Sequence, residues 1–324
     1  MITIQPYSPS LIASWDRVLD QSINGTFMHS RDYIDYHGDK FDDASLLIYR
    51  DDKPVGLFPA HKIVDEIHSH QGLTYGGFIL YQDLSMTGII AVIKEVMRHY
   101  LEKGMKTLII KDVPSFYGSS SLEWMPYCMF LLGADNFRTE LSFAIPLPIS
   151  PRMYTKGRKW RVNKAKRADL TISETQNFQP FWEEVLVPNL WERHRVKPVH
   201  TLEEIKFLAE NNKPFIRQFE VLDGGKIVAG ATIYETKIAV HSQYLSSNSR
   251  GRKLSALDLL IDYLVRERFP HKAFFNFGIV NESQGRTINK GLMDWKESFG
   301  AKPYVHQFYK VETARFRVLE EALR

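Results

Sequence analysis

Apolar and polar positions along the chain form a pattern that occurs twice. Leu46-Leu47-Ile48-Tyr49 leads through Asp51-Asp52-Lys53-Pro54 into Val55-Gly56-Leu57-Phe58, the signature of strand, tight turn and strand. Arg217–Leu222, Asp223-Gly224-Gly225-Lys226 and Ile227–Ala231 repeat it. An amphipathic helix follows each hairpin. The first starts at the N-capping residue Ser85, carries Ile89, Ile93, Val96, Met97 and Tyr100 at helical spacing, and stops at Gly104. The second starts at Ser255, carries Leu257, Leu260, Ile261, Leu264 and Val265, and stops before Pro270. Each helix feeds an apolar strand, Thr107–Ile110 or Ala273–Phe277. Leu132-Gly133-Ala134 then precedes the strand Leu141–Ile145, and Phe299-Gly300-Ala301 precedes Val305–Tyr309. Ser85 and Ser255 lie 170 residues apart, Gly104 and Pro270 lie 166 apart, and Gly133 and Gly300 lie 167 apart. Such a constant offset predicts a duplicated α/β unit.

The joint falls at Pro146-Leu147-Pro148-Ile149-Ser150-Pro151, which predicts two domains, 1–149 and 150–324. Ser150 as N-cap and Pro151 in the first turn would open a helix over about 151–168. A strand at Leu170–Ile172, a helix over 181–193 and a charged helix over 202–210 follow, and Ala239–Leu245 reads as a further strand.

A length of 324 residues suits two domains, and 44% hydrophobic with 25% charged residues excludes a disordered chain or a disulfide scaffold. The single cysteine, Cys128, sits in the apolar run Tyr127–Leu132, as a core thiol would, and one cysteine fits a reducing compartment. The N-terminus has neither a basic nor an apolar leader region, and no apolar run is long enough for a membrane span, so the expected location is cytoplasmic. The charge is unevenly spread. Residues 152–167 carry eight basic residues and no acid, against a chain total of +4, which leaves −4 for the remainder.

Two tandem strand-hairpin-helix-strand units joined by Lys159-Trp160-Arg161-Val162-Asn163-Lys164-Ala165-Lys166-Arg167 resemble the Fem peptidoglycan-bridge transferases and their relatives. So do Asn276-Phe277-Gly278, Asn289-Lys290-Gly291-Leu292 and Trp295-Lys296-Glu297-Ser298-Phe299-Gly300-Ala301, while Thr26–Tyr33 is similar to the family's N-terminal signature. The resemblance implies an α/β fold of two tandem GNAT-like (acyl-CoA N-acyltransferase) domains, with mixed sheets flanked by helices. It implies an N-acyltransferase that moves an acyl or aminoacyl group onto an amine of a cell-envelope or polysaccharide precursor by direct attack. The donor would be acyl-CoA or aminoacyl-tRNA, and the acceptor a small molecule or nucleotide-linked glycan, with no metal. An aminoacyl-tRNA-dependent bridge transferase, or a non-catalytic module holding a nucleotide-sugar or RNA, are the alternatives. The sequence departs from the pattern at Arg250-Gly251-Arg252-Lys253-Leu254-Ser255, where Lys253 and Ser255 stand in place of phosphate-loop glycines. Arg250, Arg252, Lys253 and Ser255 are therefore the candidate donor-phosphate contacts. His37 lies near the point where the family has a lysine for a nucleotide-sugar phosphate. No heptad run matches the family's coiled-coil arm.

Arg158, Arg161 and Lys164 recur every three residues on one face of the basic helix, either as a solvated surface or as a grip on a diphosphate or RNA backbone. Lys296 is either solvent-facing or, as the resemblance implies, the fixed cation that stabilises the oxyanion of amide formation. Strand periodicity puts His241 and Gln243 on one face and Tyr244 on the other, and the resemblance places Tyr244 beside the acceptor. His68 and His70 have metal-compatible spacing but no second ligand cluster, which favours a polar hairpin tip. No Ser-His-Asp signature, Walker loop or dinucleotide fingerprint occurs, so an acyl-enzyme has no sequence support.

Overall fold

A computed structural model of the chain describes residues 1–150 and 153–323. They form two compact units, residues 1–140 together with 305 onward, and Leu141–Tyr304. Residues 141–149 and 305–324 thus fall on the opposite side of the division expected at 149/150. Strand pairing explains this. Residues 142–146 of the strand Asp135–Pro146 pair with Phe274–Ile279, and residues 308–312 of Lys302–Glu312 pair with Thr107–Lys111.

In the first unit, Ile2–Pro6, Leu46–Arg50, Lys53–Phe58 and Ile79–Leu80 form one antiparallel sheet. Helix Met86–Glu102 starts at Ser85, whose Oγ accepts from Gly88 N at 3.2 Å, and buries Ile89, Ile93, Val96 and Met97. Strand Thr107–Lys111 then pairs in parallel with Glu66–His68 and antiparallel with residues 308–312. Cys128 is a core thiol, its pKa pushed up to about 12 by burial.

In the second unit the strands run Leu170–Thr175, Ile216–Asp223, Lys226–Glu235, Ala239–Ser247, Phe274–Ile279 and residues 142–146. Every pairing is antiparallel except that of Ala239–Ser247 with Phe274–Ile279. Phe219, Val221, Ala231, Ile233, Leu260, Leu264 and Phe275 belong to its core. Two local expectations are corrected here. The basic helix is Lys156–Lys166 and its cap is Thr155, whose Oγ1 accepts from Arg158 N, rather than Ser150; Pro151 lies outside the described residues. Ser255 does not begin a helix from an extended cap. It sits at φ 60° between helices Ser249–Leu254 and Ala256–Tyr263.

Candidate active site

The second unit's parallel pair is joined at only three positions, Ala239↔Phe274, Val240↔Phe275 and His241↔Asn276. Beyond them both strands leave regular geometry. Ala239–Ser247 carries a register shift opposite Thr232/Ile233, at Gln243, and Phe274–Ile279 turns at Gly278, which has φ 76°. That conformation favours glycine, and Asn276 pins it, its Oδ1 accepting from Gly278 N at 2.8 Å and from Ser142 Oγ at 2.9 Å. Asn276 Nδ2 meets His241 Nδ1 at 3.0 Å. Where the pairing ends, a cleft of about 870 Å³ opens, lined by Ser242, Gln243, Phe277 and Lys296 among others.

Turning the chain at Gly278 aims two successive carbonyls at one point. Lys296 Nζ occupies it, donating to Gly278 O at 2.8 Å and Ile279 O at 2.7 Å. Helix Lys290–Glu297 brings the side chain there, started by Asn289, whose Oδ1 accepts from Leu292 N. Lys296 is 3% exposed, and burial lowers its pKa to about 7. His241 is held neutral, its pKa lowered to about 4 by burial and then by the charge of Lys296.

The candidate cations do not act as one set. Arg158 is buried, ion-paired with Asp258, bonded to Ser298 Oγ at 2.9 and 2.8 Å, and stacked 4.0 Å from the Phe299 ring centroid. It is a structural tie in the cleft wall, not a free phosphate contact. Arg161 is exposed and lines the cleft. Lys164 is used internally, donating to Lys253 O at 2.7 Å. Of the four candidate phosphate contacts only Arg252 lines the cleft, bonded to Asn189 Oδ1 and Ser247 O at 2.8 Å each. Arg250 pairs with Asp223 at 2.6 Å; Lys253 and Ser255 are not among the lining residues. At the start of helix Ser249–Leu254, Asn248 Oδ1 accepts from Gly251 N at 2.9 Å, so that amide is already used. Gly251 itself is packed so closely that a Cβ would lie 2.1 Å from Val228 O.

Tyr244 faces away from the cleft. Its hydroxyl meets His200 N at 3.1 Å and His200 Nδ1 at 2.7 Å, and its ring packs on Trp182. Sequence reasoning missed Arg193 and Asn189, which helix Val187–His194 adds to the lining, as well as Asp258 and the turn at Gly278. The Asn276-Phe277-Gly278 run, read only as part of the family pattern, was the one available signal for the turn.

The first unit has a smaller cleft, about 540 Å³, lined by His68, His70, Lys111, Arg138, Phe308 and Lys310. His37 lies in the same unit, beside His70 and Arg31 in a pocket of about 200 Å³, with Nδ1 2.9 Å from Ile34 O. The hairpin His61–Ile63/Glu66–His68 turns at Val64-Asp65, so His68 and His70 lie at its foot rather than its tip; His70 is buried at φ 53°. Among the described residues no group of three His, Cys, Asp or Glu is placed to hold a metal ion, and no helix is long and apolar enough to cross a membrane.

No protein-family model and no curated protein matches the chain in sequence. Solved structures do match in fold. FemX superposes with a TM-score of 0.70 at 9% identity, over 94% of this chain and 96% of FemX. L-PGS from Bacillus licheniformis gives 0.60 at 14% identity, over 98% and 95%. A tandem GNAT protein from the clavulanic acid biosynthesis pathway gives 0.50 at 10% identity, over 97% and 99%. The fold is therefore the Fem-type, GNAT-like acyltransferase fold.

Proposed function

We propose that the chain is an N-acyltransferase that passes an acyl or aminoacyl group to an amine of a cell-envelope or polysaccharide precursor in the cytoplasm, by direct attack at the second unit's cleft. The observation that carries this reading is the buried amine of Lys296, held by two carbonyls in a cleft large enough for a reacting centre. As the acceptor amine attacks a thioester or ester carbonyl, negative charge gathers on its oxygen, and a preorganised N–H donor there stabilises it. Arg161, Arg193 and Arg252 supply the positive charge that a polyanionic donor requires.

Because Asn248 already occupies the Gly251 amide, acyl-CoA and aminoacyl-tRNA alike would be held here through the cleft arginines. A donor held through arginine side chains does not need the backbone amide that Asn248 occupies. Thermal-shift screening with acyl-CoAs, UDP-sugars and aminoacylated tRNA, followed by transfer assays on the stabilising pairs, tests the reading. Stabilisation by a donor and an amine acceptor, with amide product, is expected. Binding without product from any pair would leave a non-catalytic module.

A further inference from the structure

We infer that Lys296 is the general base as well as the oxyanion donor: it takes the proton from the attacking amine and then returns it to the leaving group. The inference rests on the transferase reading above and goes beyond it, because a fixed cation needs no proton cycle.

The geometry is that of a tetrahedral nitrogen with three of its four directions assigned. One bonds Cε, and two point at Gly278 O and Ile279 O, which can only accept. Both acceptors are satisfied by the two hydrogens of a neutral amine, so the remaining direction carries a lone pair when Lys296 is neutral and a third N–H when it is charged. Lys296 lines the cleft, and that direction is the one it has for a ligand. In the transfer step the acceptor nitrogen bonds the carbonyl carbon while its proton passes to Nζ, and the carbonyl π pair moves to oxygen. The new third N–H then serves the oxyanion. Collapse restores the C=O, breaks the C–S or C–O bond, and the leaving thiolate or alkoxide recovers the proton, so amide and free thiol or alcohol are the products and Lys296 ends neutral.

The surroundings suit such a cycle. Burial opposes the charge and lowers the pKa to about 7, where both forms are accessible. The titratable and charged side chains that line the cleft with Lys296 are Arg158 and Arg161 on the basic helix, Arg193 on helix Val187–His194, Arg252 on helix Ser249–Leu254 and Asp258 on helix Ala256–Tyr263, and His241 on strand Ala239–Ser247 lies close enough to feel its charge. His241 stays neutral in this range and Asp258 is committed to Arg158. Lys290, Asp294 and Glu297 share its helix, and Lys290 pairs with Asp294 at 2.6 Å.

The test is the pH dependence of kcat/KM for the parent, for Lys296→Arg and for a lysine analogue with a less basic amine. The analogue is made by aminoethylating Lys296→Cys in a Cys128→Ser background. A rate that rises through about pH 7 to a plateau, with the rising limb moving to lower pH in the analogue, is expected. Lys296→Arg, charged throughout, should be as slow as Lys296→Met. A rate that falls as pH rises through 7, or a Lys296→Arg enzyme that keeps much of the parental rate, overturns the base role and leaves a fixed cation. A limb that does not move in the analogue belongs to the acceptor amine and also overturns it. Absence of transfer by the parent at every pH instead refutes the transferase reading itself.

Discussion

Each unit places a lysine amine, buried for Lys296 and half-buried for Lys111, where a parallel strand pair comes to its end, and the two lysines are equipped differently. Lys111 closes the pair Glu66–His68/Thr107–Lys111, and its Nζ donates to one carbonyl, Leu73 O, at 2.6 Å. Burial, and then the charge of Arg138, lowers its pKa to about 8. The other cations of that cleft have acids beside them: Arg138 pairs with Glu140, and Lys310 with Glu66 at 3.1 Å. In the second unit's cleft, Arg161 and Arg193 make no ion pair among the described residues, and Lys296 is held by two carbonyls. A lysine amine with a depressed pKa alone therefore does not distinguish the proposed reactive centre. The second unit combines it with arginines that make no ion pair among the described residues and a cleft of larger volume, which suits a polyanionic donor.

The largest effect expected is on folding. Arg158→Leu leaves Asp258 as a buried, unpaired carboxylate and should cost about 3–5 kcal/mol, read as a lower urea midpoint. Arg161→Gln, on the same helix but exposed, should stay within about 0.5 kcal/mol. The double variant Arg158→Leu/Asp258→Leu should recover most of the loss. Equal costs at 158 and 161 would mean that Arg158 is not a structural tie. Next in size, Lys296→Met should reduce turnover by at least about 10²–10³, the usual cost of losing one preorganised donor, with acceptor affinity nearly unchanged. Lys111→Met should leave turnover near the parental value, and similar losses at both lysines would refute the distinction between the clefts.

Much of the scaffold was legible, because it depends on local pattern. Both hairpins, the Ser85 cap and the strands feeding from each helix follow from alternation and helical spacing over a few residues. The site was less so. Arg158 looks like its neighbours in a basic run, and what removes it from solvent is Asp258, a hundred positions further along. Tyr244 was placed beside the acceptor by resemblance, while the register shift at Gln243 decides which residues of its strand reach the cleft. Lys296 came from resemblance to a family pattern, since a lysine in an amphipathic stretch carries no periodic signal that it is buried. Arg193 gave none either.

The two lysines also differ in how they should link stability to pH. A lysine whose folded pKa is depressed opposes folding when it must be charged, so its penalty is fully present at low pH and is relieved as pH rises from the folded to the unfolded value. For Lys296 that window runs from about 7 to 10.5, and for Lys111 from about 8 to 10.5. Between pH 7 and 8 the parent should gain roughly 1 kcal/mol relative to Lys296→Met and little relative to Lys111→Met. Urea melts at the two pH values check this. Parallel pH trends for both variants would show that the two amines are equally buried in energetic terms.

The smallest effect expected concerns the unpaired arginines. If Arg161 and Arg193 meet donor phosphates, each contact releases a counterion, and the slope of log affinity against log salt falls by roughly 0.7–0.9 for every contact removed. Arg161→Gln/Arg193→Gln should therefore flatten the salt dependence of tRNA binding by between one and two units, with the affinity difference shrinking as salt rises and screens the remaining charge. Lys310→Gln in the first unit is the matched control. It too removes a cleft cation, but one already satisfied by Glu66, and should leave the slope unchanged. Binding isotherms at several salt concentrations decide the matter. A slope that flattens with Lys310→Gln and not with the arginine pair would move the polyanion to the first unit, and no change in either would show that the basic helix is a solvated face.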